Sequence, residues 1–421
     1  MTKRTSLFVK ALMLLVLALL IATGCEDEKS AVSPEETYDG DGFPVAIITA
    51  TPDGDDSSDI VAAFRAASET TGDDIPKELI PEVYDVLYTQ NNPDAARSFL
   101  NSMRDEDNRP MVVVGPTTDE ELVRCLDYCD DDPLLFLSPN GVSIDHELED
   151  EYVLSFGVDL QHIVNAYISQ TLVDRSILEY GCQIVLLVPE AYEEKDRLAS
   201  IFSGYSNSLG SWYIENSTLF TYSPESIDIV LNQIRDQFPL DMMDPDYLYV
   251  YFTGTSDNAE ELRKTLEWAA NTSEKIRCMA SPEFARNEAL LSDAAFVRVA
   301  EARIFFCLQP SVNMYGGTGE YYNRLEARLH RSADFKAHIS HDIHRLLADA
   351  VQSITPAESR AGTIERLRNR IIELGVNREG ISGPLEFDVH GERYNFSFDV
   401  LRIHNGQWKT DGTMTGHNLR K

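Results

Sequence analysis

Apolar residues in this chain come in short blocks. One series occupies residues 44–50, 83–88, 111–115 and 134–138, and a second occupies 183–188, 217–222, 247–252, 275–280 and 302–308. Each block has the length of a strand covered on both faces. Between most of them, apolar positions recur at helical spacing, over residues 60–70, 93–104, 119–129 and 258–269. Strands separated by helices of that length make βαβ units and parallel sheets. Right-handed crossovers then place helices on both faces of each sheet. The strands are too many for one compact sheet and fall into two sets. The pattern predicts an α/β chain of two doubly wound, parallel-sheet lobes.

The start of the chain follows a different pattern. Lys3, Arg4 and Lys10 precede an apolar run from Ala11 to Ala22, and Thr23 and Gly24 lead into Cys25. Charge, apolar stretch and small residues in that order make a secretory signal. The run falls short of the about 20 apolar residues that a membrane span needs. A Cys directly after Ala-Thr-Gly resembles the lipobox of bacterial lipoproteins. Residues 1–24 are therefore expected to be a lipoprotein signal peptide. Cys25 is expected to be the acylated first mature residue, anchoring the protein to a membrane of the cell envelope, facing the periplasm or the exterior. Residues 25–42 hold acids, Ser, Pro and Gly with almost no apolar residue, the composition of a flexible tether.

Charge narrows the partners. The 421 residues carry 70 acids against 36 bases, a net charge of −34, and three of those bases lie in the leader. Such a chain repels polyanions, so nucleic acid is not an expected partner. Cysteine adds little. Cys125 and Cys129 lie four apart on a predicted helix, and Cys278 and Cys307 in neighbouring strands leave one disulfide open. No C-x-x-C, G-x-S-x-G or His-Glu-x-x-His occurs. The chain thus lacks the marks of a zinc, thiol-redox or hydrolytic centre, and neither an enzyme, a cofactor nor a metal is expected. His338, His341 and His344 share a predicted helix at spacing three, where two could meet a metal but packed side chains are the expectation. Gly316-Gly317-Thr318-Gly319 reads as a turn. Asp53, Asp55 and Asp56 begin like a calcium loop, without its Gly and closing Glu.

Several stretches resemble a known family. Val112-Val113-Val114-Gly115-Pro116-Thr117-Thr118, then Leu135-Phe136-Leu137-Ser138-Pro139, resembles the type 1 periplasmic binding proteins, the group that includes branched-chain amino acid receptors. Asn91-Asn92-Pro93-Asp94-Ala95-Ala96 resembles the family's segment before the second helix of the first lobe. Ile381-Ser382-Gly383-Pro384-Leu385-Glu386-Phe387-Asp388, with Gly391-Glu392-Arg393 and Asn405-Gly406-Gln407-Trp408, resembles its C-terminal hairpin. The resemblance implies two lobes joined by three crossovers, with a ligand held between them. It assigns residues 43–157 and 312–378 to lobe one, 158–311 and 379–412 to lobe two, and 413–421 to a tail.

Ligands of open parallel sheets collect beyond the carboxyl ends of the strands. Five loops should therefore converge, those after Gly115, Pro139, Val188, Phe252 and Ala280. By the resemblance, Glu283 meets a ligand ammonium, Tyr192 lies against the ligand, and Asn140 with Val142 or Ser143 holds a carboxylate. Thr118 and Thr255 complete the candidate set. Asp119 departs from the pattern, since the family usually has a hydroxyl there; a carboxylate would repel a ligand carboxylate unless one were protonated, or Asp119 caps its helix. The expected function is that of a substrate-binding lipoprotein that passes a small polar solute to an ABC permease. A ligand-sensing or regulatory envelope lipoprotein without a transport role is the alternative.

Overall fold

The computed structural model describes residues 41–417, apart from 50–54, 73–74, 91, 105–108, 130–131, 142–148, 174–181, 209–213, 239–246, 303–304, 314–316 and 331–332. Cys25, the leader and the tether lie outside the described residues.

The first apolar series folds as β1 (Phe43–Thr49), β2 (Pro81–Tyr88), β3 (Val112–Val114) and β4 (Leu135–Ser138), and β5 (Val153–Ser155) joins them. All pair in parallel in the order β2-β1-β3-β4-β5. Helices α1 (Asp55–Glu69), α2 (Pro93–Met103), α3 (Asp119–Cys129) and α4 (Glu149–Tyr152) make the connections. Side chains alternate across the sheet, as a period of two requires. Val45, Ile47, Val112, Val114 and Leu137 face one core, and Ala46, Ile48, Val113 and Phe136 face another under α2 and α3. Both faces are buried, which is why these strands read as continuous apolar runs.

The second series repeats the plan. Strands β6 (Cys182–Pro189), β7 (Ile214–Tyr222), β8 (Tyr247–Phe252), β9 (Ile276–Ala280) and β10 (Phe305–Pro310) pair in parallel in the order β7-β6-β8-β9-β10. Between or before them run α5 (Leu160–Val173), α6 (Lys195–Ser208), α7 (Ile227–Gln237), α8 (Ala259–Thr272), α9 (Glu288–Leu291) and α10 (Ala294–Ala302). Ala302 ends a helix instead of opening a strand, as the Ala-rich segment before it favours.

After β10 the chain returns to the first sheet as α11 (Gly319–Leu329), α12 (Phe335–Ser353) and α13 (Arg360–Gly375). Ile343 and Leu346 of α12 and Ile371 of α13 join the core of Val45 and Ile47. Short strands β11 (Glu379–Gly380) and β12 (Gly383–Pro384) follow, and then the hairpin of β13 (Asn395–His404) and β14 (Gln407–His417), added antiparallel to β10. Asn405 and Gly406, at φ 53° and 70°, make the two-residue turn. Strand β14 runs to His417 and pairs its residues 413–417 with 395–399. Residues 413–417 are thus strand where the resemblance assigns a tail, because the hairpin ladder continues through Gly412 and Gly416.

The chain passes between the sheets three times, and the passages are bonded together. Arg393 N–H donates to the carbonyl of Ser155 at 2.9 Å, Ser155 N–H to Gly391 at 2.9 Å, and Asn313 N–H to Ile381 at 2.7 Å. Arg393, 1% exposed, donates to Ser382 Oγ at 2.7 Å and lies 4.1 Å over the Phe396 ring. The fully buried Asp342 accepts from Ile381 N–H and Ser382 N–H at 3.0 and 2.8 Å. Burial raises its carboxyl, but His341 and Ser382 outweigh that and hold it below the ordinary value.

All five described cysteines are buried, and none is in a disulfide. No disulfide joins Cys278 and Cys307. The register sets Cys278 beside Phe305 and Cys307 beside Ala280, so the two thiols are out of step by two residues.

Candidate ligand-binding cleft

Both parallel sheets have the strand order 2-1-3-4-5, counted within each lobe, so each has a switch point where successive connections leave to opposite faces. A crevice opens there beyond the strand ends. In the first lobe it lies between β1 and β3, and in the second between β6 and β8. The loops after β3, β6 and β8 all line one cleft of about 730 Å³, together with the loops after β4 and β9.

The first wall is built around the start of α3. Gly115 ends β3 at φ 108°, with Ile48 O only 2.0 Å from where a Cβ would be, so no other residue fits this turn. Thr118 then caps the helix: its Oγ1 accepts from Glu121 N–H at 3.3 Å. The capping role weighed for Asp119 belongs to Thr118. Asp119 is the first helical residue, half-buried, and lines the cleft. Asn140 Nδ2 donates to the Thr117 carbonyl. Among the described residues, neither Asn140 Oδ1 nor Thr117 Oγ1, both buried, has a hydrogen-bond partner. This wall thus presents one unpartnered carbonyl oxygen and one unpartnered hydroxyl beside the Asp119 carboxylate.

The second wall is aromatic and acidic. Glu283 sits on a single turn whose neighbour Phe284 is fully buried, with its ring 5.6 Å from that of Phe252. Tyr192 follows β6, its N–H donating to Pro189 at 3.0 Å. Burial, Glu194 and Glu283 push its phenol up to about 12. Burial also raises Tyr251 and Cys307, with Glu283 the next cause, so the Glu283 carboxylate bears on the end of β8 and the middle of β10.

Acids outnumber bases in the lining. Asp119, Asp159, Glu193, Glu194 and Glu283 face Arg197 and Lys336. Arg197 is committed, bonding Glu194 at 2.7 Å and reaching Asp159 at 3.6 Å. Asp159 also meets His162 Nδ1 at 2.5 Å. Burial would raise the Asp159 carboxyl, but His162 and Arg197 outweigh it and hold the group below the ordinary carboxylate value.

Of the residues that the sequence singles out, Thr118, Asp119, Asn140, Tyr192 and Glu283 come together here. Ser143, like Val142, lies outside the described residues. Thr255 does not line the cleft; Thr253 does. Thr255 is exposed and shapes the start of α8, its N–H donating to Asn258 Oδ1 at 3.0 Å and its Oγ1 accepting from Asp257 N–H at 3.3 Å. Asp159 and Arg197 went unmarked by the sequence reading. The clue to Asp159 was its place just after the first passage between lobes. His338, His341 and His344 are all buried; His344 Nε2 lies 3.1 Å from Pro81 O, and His341 Nδ1 3.2 Å from Asp342. Among the described residues no group of three His, Cys, Asp or Glu is placed to hold a metal ion.

No family model matches the sequence, and no curated protein sequence matches it. Solved structures do match. One is the branched-chain amino acid transporter substrate binding protein LivJ from Streptococcus pneumoniae, in complex with isoleucine. It shares 13% identity and a TM-score of 0.58 over 90% of this chain and 100% of that one. A branched chain amino acid ABC transporter periplasmic ligand-binding protein from Burkholderia xenovorans reaches a TM-score of 0.64 at 13% identity, over 89% and 96% of the two chains. A solute binding protein of an R. palustris ABC transporter, in complex with benzoate, gives 0.58 at 12% identity over 90% and 98%. The fold is that of the type 1 periplasmic binding proteins. Identity this low speaks for the architecture and leaves the ligand to the cleft's own chemistry.

Proposed function

We propose that this chain is an extracytoplasmic substrate-binding lipoprotein, anchored through acylated Cys25, that captures a small polar solute between its lobes for an ABC permease. The observation that carries the reading is the convergence of Asp119 and Asn140 from one sheet with Tyr192 and Glu283 from the other, at the switch points of both. Structures with this fold that hold isoleucine, leucine or benzoate support it. The described groups of the cleft are placed to bind and orient a solute.

The ligand carries an amine or amide end and no free carboxylate near Asp119. A ligand carboxylate there would add charge to a wall that already presents the Asp119 carboxylate and the unpartnered Asn140 carbonyl oxygen, in a partly dry space. Calorimetry tests this with leucine, amides and polyamines on wild type and Asp119→Ser. Wild type should favour the amides or polyamines, and Asp119→Ser should narrow the gap by about tenfold, roughly 1.4 kcal/mol. Tight leucine binding by wild type, unchanged in Asp119→Ser, sinks the specificity. The anchor has its own test. Cys25→Ser should lose fatty-acid labelling and move to the soluble fraction, because the acidic tether has nothing to hold a bilayer.

A further inference from the structure

We propose, resting on that reading of the cleft, that its solute is a small linear diamine with one ammonium group held by each lobe. The charge of the lining carries the inference. Five acids against two bases give it a formal excess of three negative charges. Part of that charge is paired within the protein. Arg197 bonds Glu194 at 2.7 Å and reaches Asp159 at 3.6 Å, and Asp159 meets His162 Nδ1 at 2.5 Å. Asp119, Glu193 and Glu283 lie outside that group, and Lys336 is the other base of the lining.

Two of these acids stand on opposite lobes. Asp119 opens α3 in the first lobe and is half-buried; Glu283 follows β9 in the second and is exposed. Both line the cleft with surface that a solute can reach. Closure of two lobes by a hinge is favoured by a solute that binds the closed state better than the open one. A monoamine neutralises one wall and lets closure carry the other carboxylate, still without that counter-charge, into a drier space, which costs free energy. A dication places an ammonium on each wall and so ties the lobes together. An amide end brings dipoles but no charge. The chain's net charge of −34 also draws cations towards it.

The rest of the lining suits a short methylene chain. Val158, Leu160, Ile163 and Pro282 supply apolar surface. Tyr192 is half-buried, and burial, Glu194 and Glu283 keep its phenol neutral at ordinary pH. A neutral phenol oxygen accepts one N–H of an ammonium whose other hydrogens go to a carboxylate, and its ring face attracts the cation.

Calorimetry on the mature chain with putrescine, cadaverine, butylamine, N-acetylputrescine, butyramide and leucine tests the assignment. At least one diamine should bind about tenfold or more tighter than butylamine, and N-acetylputrescine, which keeps the chain but loses one charge, should fall to the butylamine level. Asp119→Asn and Glu283→Gln, which keep the shape and remove the charge, should each erase most of the diamine's advantage while the thermal midpoint stays near wild type. Butylamine or butyramide binding as tightly as the diamines overturns the dication and leaves the capture of an amine- or amide-ended solute standing. Leucine binding tighter than the diamines, or an undiminished diamine advantage in both variants, also overturns it. No binding of any of the six would sink the reading of the cleft itself, and this inference with it.

Discussion

The two walls of the cleft stand on sheets of the same strand order, yet they are held in place by different forces. The first wall is positioned by local polar geometry: a glycine turn, the Thr118 cap, and the bond from Asn140 to the Thr117 carbonyl. The second is positioned by burial. Phe284 sinks into the core beneath Glu283, and Tyr251 is itself a buried strand residue. A wall set by hydrogen bonds can be changed cheaply and locally. A wall set by core packing moves only when the lobe moves. The difference teaches which residues can be altered to retune the ligand and which cannot be touched without unfolding the host.

Removing the anchor of the second wall should have the largest effect. Phe284→Ala should cost about 3–5 kcal/mol, by lost burial and the cavity left behind, and should weaken ligand binding as Glu283 loses its support. Urea unfolding and calorimetry on the same variant measure both; a cost below about 1 kcal/mol would break the contrast. Acid should come next and strike the first lobe. His344 and His338 lie on α12, and burial lowers them to about 3 and about 4. Unfolded, each takes up a proton near the ordinary value of about 6.5. Through that window the unfolded chain binds more protons than the native one. Stability is therefore full above about pH 7 and falls with acidification by about 1.4 kcal/mol per pH unit for each histidine, until the native state protonates. Unfolding free energies from pH 7 to 4.5 test it, and His344→Phe should flatten the slope by about half. Thr118→Ala should have the smallest effect, about 1 kcal/mol, through loss of the cap. Its effect on ligand affinity should exceed what its stability cost suggests, because the cap positions Asp119; equal affinity in this variant would detach the first wall from binding.

The strands were legible because both sheets are covered on both faces, which makes an apolar run and a strand nearly the same object. Tyr247–Phe252 and Asp119–Cys129 have the predicted bounds. Strand β5 escaped because Val153–Ser155 is three residues long and follows an acidic helix. The cleft loops were legible as the segments after strands, and that rule brought Thr118, Asp119, Asn140, Tyr192 and Glu283 to one place. It does not say how far along a loop the chain stays in the cleft. Thr253 and Thr255 differ by two residues, and only the turn into α8 decides between them. Arg197 left no trace in the sequence and Asp159 only its place just after a passage between lobes, since their pairing joins a helix to that passage and leaves no spacing to read.

The five core thiols have a practical consequence for following this protein at work. All are buried, and burial pushes Cys125 and Cys307 well above the ordinary thiol value, so almost none of either is the reactive thiolate. A soluble version beginning after Cys25 therefore offers maleimide chemistry a background close to silent without any native cysteine being replaced. Two cysteines introduced on opposite lobes, at exposed positions such as Ile229 and Val376, could carry a fluorophore pair. Energy transfer between the dyes would then report lobe motion in an otherwise native chain.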